Sequence, residues 1–221
     1  MQPFARFRTI VLPALLAFLA GCAAIPQPDA ARKGPYFNPA NVHSVVRLPA
    51  DVRRIVVLPV AADGGIPEES LDALDMTIRA ALNLTGRFEI APVSRAVCAR
   101  YTGMRSIRSI DALPHDFFTR LTNEFAAEAV LFIDVTQYTA YPPLALGLRC
   151  KLARLNDRSL LWSFDTLYTA TNPAVVNSAR RHWLETTPTG TPADLSATAL
   201  QSPQRFAAYA AAATFATLPP R

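Results

Sequence analysis

The sequence predicts a single α/β domain, a mixed β-sheet with helices packed on it. Three observations predict it. In the first half, short β-branched runs alternate with stretches of helical period, the texture of β-α-β units. In the second half, three strand-like runs follow one another with only turns between them, which is a meander. The chain then closes on two helical stretches, giving the order β-α-β-α-α-β-β-β-α-α.

The first strand is read from RRIVVLPV (53–60), a β-branched run ended by proline. A helix follows over 66–86. Pro67 suits its first turn, Glu68 and Glu69 complement its positive end, and Gly86 suits a left-handed stop. Leu71, Leu74, Ile78, Ala81 and Leu82 share one face of it. RFEIAPV (87–93) is the second strand, and residues 94–112 read as a short helix and a loop. LPHDFFTRLTNEFAAEA (113–129) reads as a helix with Pro114 in its first turn. Its apolar face is Phe117 or Phe118, Leu121 and Phe125. AVLFIDVTQY (129–138) is a strand. LALGLRCKLARL (144–155) alternates, with Leu144, Leu146, Leu148, Cys150 and Leu152 on one face. Asn156-Asp157 signals a turn, and 158–168 returns as a paired strand. NPAVVNSARRHWLE is a helix, 186–201 is polar and loop-like, and 202–218 is a closing helix. Ser202 caps that last helix, Pro203 sits in its first turn, and Phe206, Ala210 and Ala213 form its packing stripe.

Ahead of this domain the texture is different. Arg6 and Arg8 form a basic start, and Thr9 to Ala20 is an apolar run of 12 residues. A membrane-spanning helix needs about 20 such residues, so the run is too short to cross a bilayer and reads as a secretory signal. Its end, Leu19-Ala20-Gly21-Cys22, resembles the bacterial lipobox. That resemblance implies a thioether-linked diacylglyceryl group on Cys22, cleavage before it, and acylation (palmitate) of the new amino terminus. Two or three acyl chains exceed the two-signal minimum for stable anchoring. The alternative is an ordinary signal peptide with an incidental cysteine. Ala23, rather than Asp, after the cysteine favours the outer membrane in enteric-type lipoproteins.

The expected organisation is therefore a signal peptide over 1–21, a lipidated cysteine with a Pro-rich tether over 22–50, and a periplasmic domain over 51–221. Pro26, Pro28, Pro39 and Pro49 mark residues 23–49 as a tether, or as a strap packed on the domain surface. As a flexible chain of that length the tether would span about 30 Å. Removal of residues 1–21 lowers the formal charge from +5 to +3, too mild an excess for nucleic-acid binding.

The strand ending in VVLPV, the helix running into LTGRFEIAPVSR, the strand AEAVLFIDVTQY and the hairpin LARLNDRSLLWSF together resemble one group over roughly residues 52–170. It is the envelope superfamily that includes the curli secretion channel component CsgG, the penicillin-binding-protein activator LpoB and the N-terminal domain of TolB. The resemblance implies an α/β domain that binds other envelope components without catalysis. It also implies an alternative, a subunit of an oligomeric secretion or transport structure. No pair of alternating lipid-facing strands of about ten residues, as a membrane barrel needs, is evident.

Few residues point to chemistry. Once Cys22 is acylated, Cys98 and Cys150 remain, either as a disulfide or as two separate buried thiols. They have no CxxC-type neighbour, so no metal is expected. Arg95, Arg100, Arg105 and Arg108, with Tyr101 between, read as a basic patch for an anionic partner or as a solvated face. Tyr138, Tyr141 and Tyr168 with Pro142-Pro143 read as a recognition rim or as caps on the sheet. His43, His115 and His182 are scattered, Ser94 and Ser163 lack a GxSxG context, and Asp63-Gly64-Gly65 lacks the remainder of a phosphate loop. The expectation is no cofactor and no hydrolase, with a membrane, unidentified envelope proteins and copies of the chain as partners.

Overall fold

The computed structural model describes residues 29–187 and 193–221. The signal peptide, Cys22 and the first residues of the tether lie outside the described residues. The chain runs α1 (Ala30–Lys33), β1 (Val42–Ser44), β2 (Arg54–Val57), β3 (Ala61–Ala62), α2 (Glu68–Leu84), β4 (Glu89–Pro92), α3 (Arg95–Thr102), α4 (Phe117–Phe125), β5 (Ala129–Thr139), β6 (Ala145–Arg154), β7 (Leu160–Thr169), α5 (Pro173–Thr186), a 3-10 segment (Ala193–Leu200) and α6 (Pro203–Phe215).

One mixed sheet is ordered β1-β7-β6-β5-β2-β4, with β3 also pairing β5. β4, β2 and β5 are parallel, because the helices between them return the chain to the same end of the sheet. β5, β6, β7 and β1 are antiparallel, the expected meander with one added edge strand. Side-chain alternation divides the interior into two cores. Ile55, Val57, Leu131, Ile133 and the whole stripe Leu144, Leu146, Leu148, Cys150 and Leu152 face α2, α5 and α6. Val56, Leu58, Val130 and Phe132 face α3 and α4 on the other side.

The larger core is closed by aromatic side chains that alternate along β7. Trp162, Phe164 and Tyr168 lie opposite Leu152, Cys150 and Leu146 in the ladder, and Trp162 and Tyr168 meet Phe215 and Tyr209 of α6. Trp162 stacks on Phe164, and its indole N–H donates to Thr217 Oγ1 at 3.1 Å. The Tyr168 hydroxyl bonds Thr214 Oγ1 at 3.0 Å.

Two local readings are corrected, and a third is decided between its alternatives. Of tether and strap, the described part of 23–49 is a strap. The Asp29 carboxylate accepts from the Ala31 amide and pairs with Arg180 at 3.0 Å, the Phe37 amide donates to Ser178 Oγ, and β1 pairs with β7. Residues 29–50 are therefore a strap on the domain, and the folded unit begins well before residue 51. Pro114 does not open α4. A turn closed by the Phe117 amide on the Pro114 carbonyl (3.0 Å) precedes that helix, which starts at Phe117 after Asp116. The stretch 186–201 is not all loop, since Ala193–Leu200 winds into a 3-10 segment against α5, where Ser196 Oγ accepts from Arg180 Nε. Pro67 stands at the N-cap of α2 and not inside its first turn, while several other helix-end signals match. Ser202 caps α6, Pro173 and Pro203 occupy first turns, and Gly86 takes φ +62° just past α2.

Candidate functional site

The parallel half of the sheet contains a point where neighbouring strands send the chain in opposite directions. β2 leads to α2 on one face, and β4, beside it, leads to α3 on the other. In open α/β sheets the carboxyl ends of such strands part and leave a crevice where ligands collect. Here the crevice has a volume of about 420 Å³ between Val57–Pro59, Val93–Ala96 and the α2 residues Asp72, Asp75, Met76 and Arg79.

Arg95 fills the inner end of it. Ser94 caps α3 by accepting from the Val97 amide, which places Arg95 on the first turn with its side chain directed inward. The guanidinium donates from Nε to Asp72 Oδ1 (3.0 Å), from Nη1 to the Val60 carbonyl (2.9 Å) and from Nη2 to Asp75 Oδ2 (2.7 Å). Asp75 Oδ1 in turn accepts from the Val60 amide at 2.6 Å. Burial pushes the Asp75 carboxyl up, against the opposing pull of the Val60 amide and the Arg95 charge. The planar guanidinium uses three directions at once, which a lysine ammonium on one long stem would not match. The network ties the end of β2 to α2 and α3.

The four arginines, read as a basic patch or as a solvated face, have separate surroundings. Arg95 is only 8% exposed. Arg105 pairs with Glu68 and Arg108 pairs with Asp63 and Asp111, so both join loops of the same domain. Arg100 alone of the four is exposed without an ion pair among the described residues. Three of the four arginines thus meet acidic side chains of α2, its preceding loop or the loop after α3.

Of the two readings of the cysteines, a disulfide or separate buried thiols, the structure has the second. Cys98 and Cys150 are free, and the sheet stands between them: Cys98 lies in the core under α3 and α4, Cys150 in the core under α6. Burial raises both thiols above their ordinary value, Cys150 the more strongly. The tyrosine rim is not assembled. Tyr168 is fully buried, Tyr138 is half-buried, and Tyr141 is 81% exposed. His43 and His115 are exposed on separate elements, while His182 on α5 packs against Tyr209, with ring centroids 6.1 Å apart. Asp63-Gly64-Gly65 is a turn whose glycines take φ +114° and +75°. Among the described residues no cluster of His, Cys, Asp and Glu could hold a metal, and no helix is long and apolar enough to cross a membrane.

One surface was missed in the sequence. The buried stripe of α2 defines its inner face, yet Met76 and Leu84 on the outer face are 61% and 88% exposed. Ala80 lies exposed midway between them. A hollow of about 480 Å³ runs beside this ridge, between α2 and α6, with Thr77, Ala81, Ala208 and Ala212 along it. The i, i+4, i+8 spacing of apolar residues outside the core stripe was the available signal.

No family model and no curated protein matches the chain. Among solved structures it is similar to the PelC dodecamer from Paraburkholderia phytofirmans, at 14% identity over 81% of this chain and 96% of that one, with a TM-score of 0.40. It is also similar to lipoprotein GNA1162 from Neisseria meningitidis (21% identity, 54% and 85% covered, TM-score 0.41). A third is the C-terminal domain of LpoB from Salmonella enterica (17% identity, 52% and 82% covered, TM-score 0.36). At TM-scores this low, none of the three assigns the chain a function or a place in a superfamily.

Proposed function

We propose that the chain is a lipid-anchored lipoprotein of the outer membrane that faces the periplasm and acts as a non-catalytic binding or assembly module of the cell envelope. The observation that carries this reading is Leu19-Ala20-Gly21-Cys22 directly behind a basic start and an apolar run of 12 residues. The position of the strap supports it and changes its geometry. Folded structure begins by Asp29, seven residues beyond Cys22, and seven residues reach about 25 Å at full extension. An anchor on Cys22 would therefore keep the α1 side of the domain near the headgroups. A long tether holding the domain well clear of them does not fit this strap. Metabolic labelling with a palmitate analogue tests the reading. The parent chain incorporates label and fractionates with membranes, and Cys22→Ser loses both. Label that survived the substitution would overturn the anchor.

A further inference from the structure

We propose that the face built by α1, Tyr36 and α5 docks on anionic phospholipid headgroups, with Arg32, Lys33 and Arg181 donating to the phosphate oxygens. The proposal rests on the anchor reading of Cys22 for its occupant and goes beyond it, since acyl chains fix where the domain is held but not which way it faces. The strap lays α1 against α5. There Asp29 is taken up by Arg180 at 3.0 Å, and Arg32 and Lys33, both exposed in the last turn of α1, have no ion pair among the described residues. Arg181 donates from Nε to Glu185 at 2.6 Å and stays half exposed. Its guanidinium carbon lies 4.6 Å over the centre of the Tyr36 ring, which is held in turn by a 3.1 Å bond from its hydroxyl to the Ala31 carbonyl. Arg32, Tyr36 and Arg181 line one hollow of about 370 Å³, within the size range of sites that take small ligand groups.

The sequence before the strap supplies the occupant. Cys22 to Pro28 contains no charged residue, so the first charges met beyond the anchor are Asp29, already held by Arg180, and then Arg32 and Lys33. Seven residues keep that point within about 25 Å of the acylated sulfur. A membrane surface is thus the one partner that the chain itself would deliver to this face. Charge and chemistry agree with it. Among the described side chains here, Arg32, Lys33, Arg180 and Arg181 outnumber Asp29 and Glu185 by two, whereas residues 22–221 together carry an excess of only three. A guanidinium matches phosphate oxygens in pairs, and a tyrosine with an exposed ring suits the headgroup level. Each cation beside an anionic bilayer contributes about fivefold, so Arg32 and Lys33 favour the docked orientation by about 25-fold. Acyl chains retain the protein far more strongly than that, so the face sets orientation rather than retention.

Fluorescence quenching of the full chain in lipid vesicles tests this. Ala30→Cys, exposed on α1, and Thr119→Cys, exposed on α4 across the sheet, are each labelled with a fluorescent maleimide, with the parent chain as the labelling background. The quencher is a phospholipid with a nitroxide on its headgroup. Nearness to Cys22 alone gives the Ala30→Cys label some quenching in any bilayer, so dependence on charge decides. With about one third phosphatidylglycerol, the Ala30→Cys label should be quenched about threefold more than the Thr119→Cys label. That quenching should fall about twofold in pure phosphatidylcholine and in about 0.5 M salt. It should fall as far when Arg32→Gln, Lys33→Gln and Arg181→Gln are combined, with an unchanged thermal melt. Quenching that ignores both lipid charge and salt overturns the proposal without any charge variant, and an acidic protein as the partner of this face would give that result. Palmitate labelling and flotation with the vesicles score the anchor separately. Label kept with charge-independent quenching removes the face and leaves the anchor, and label lost with charge-dependent quenching does the reverse. A chain that neither takes label nor floats overturns both.

Discussion

Arg95 Nη2 lies 2.7 Å from Asp75 Oδ2 inside the crevice at the ends of β2 and β4. The position at which an open α/β sheet offers a ligand site is thus occupied by a side chain of the domain itself. Removing the cation leaves Asp75 and the Val60 carbonyl without their donor, and breaking a buried pair costs about 3–5 kcal/mol. Asp72 is 58% exposed and recovers water, so Arg95→Met is expected near the lower end of that range in urea unfolding. Arg95→Lys should recover only part of the loss. Adding Asp75→Asn to Arg95→Met should recover part of the loss, because the uncompensated charge is removed while the Val60 carbonyl still lacks this donor.

The two cysteines make a prediction about chemistry. A thiol reacts as its thiolate, and burial raises the pKa of both Cys98 and Cys150. In the folded protein at pH 8 neither should react with a maleimide, and denaturant without reductant should expose both. Mobility on a gel should be the same with and without reductant. A bridged pair would stay unlabelled after denaturation, and that result would restore the disulfide.

The parts legible in the sequence were those in which one period dominates. The β6 stripe from Leu144 to Leu152 and the inner face of α2 were read residue by residue, because each faces a single core. The sheet order was harder, since β1 pairs with β7 at a separation of more than one hundred residues and carries only Val-His-Ser to signal it. The arginine run stayed ambiguous for a related reason. A stretch of four cations reads as a patch until the acids of α2 are brought opposite, and that depends on a crossover rather than on local pattern. The Cys98–Cys150 bridge was left open because Cys98 sits on a helix, and its side of the sheet depends on which way the connection from β4 turns.

Tyr168 and Thr214 provide a test of how α6 is held to the sheet. Their hydroxyls bond at 3.0 Å with both residues fully buried. Tyr168→Phe keeps the ring packing against Phe37 and Tyr209 but leaves the Thr214 hydroxyl without this partner. The expected loss is about 1–3 kcal/mol by denaturant titration. Thr214→Val on the Tyr168→Phe background should recover much of it, because no buried polar atom is then stranded. If the double variant were less stable than the single one, this hydrogen bond would not be what secures the helix.

His182 sets a pH dependence with a definite sign. Its ring lies against Tyr209 of α6 and beside the hollow that Thr186 and Gln204 also line, with Glu185 the charged neighbour that acts on it. Burial lowers its pKa below the ordinary value, and the pull of Glu185 in the other direction is the smaller effect. The unfolded chain titrates near that ordinary value, about 6.5. Between the folded and unfolded values the unfolded state binds more protons, so stability falls as pH drops through that window and levels off below the folded value. Urea midpoints should therefore fall between pH 7.5 and pH 5.5 in the parent chain, and fall less in His182→Gln. Equal slopes in the two proteins would show that His182 titrates alike folded and unfolded.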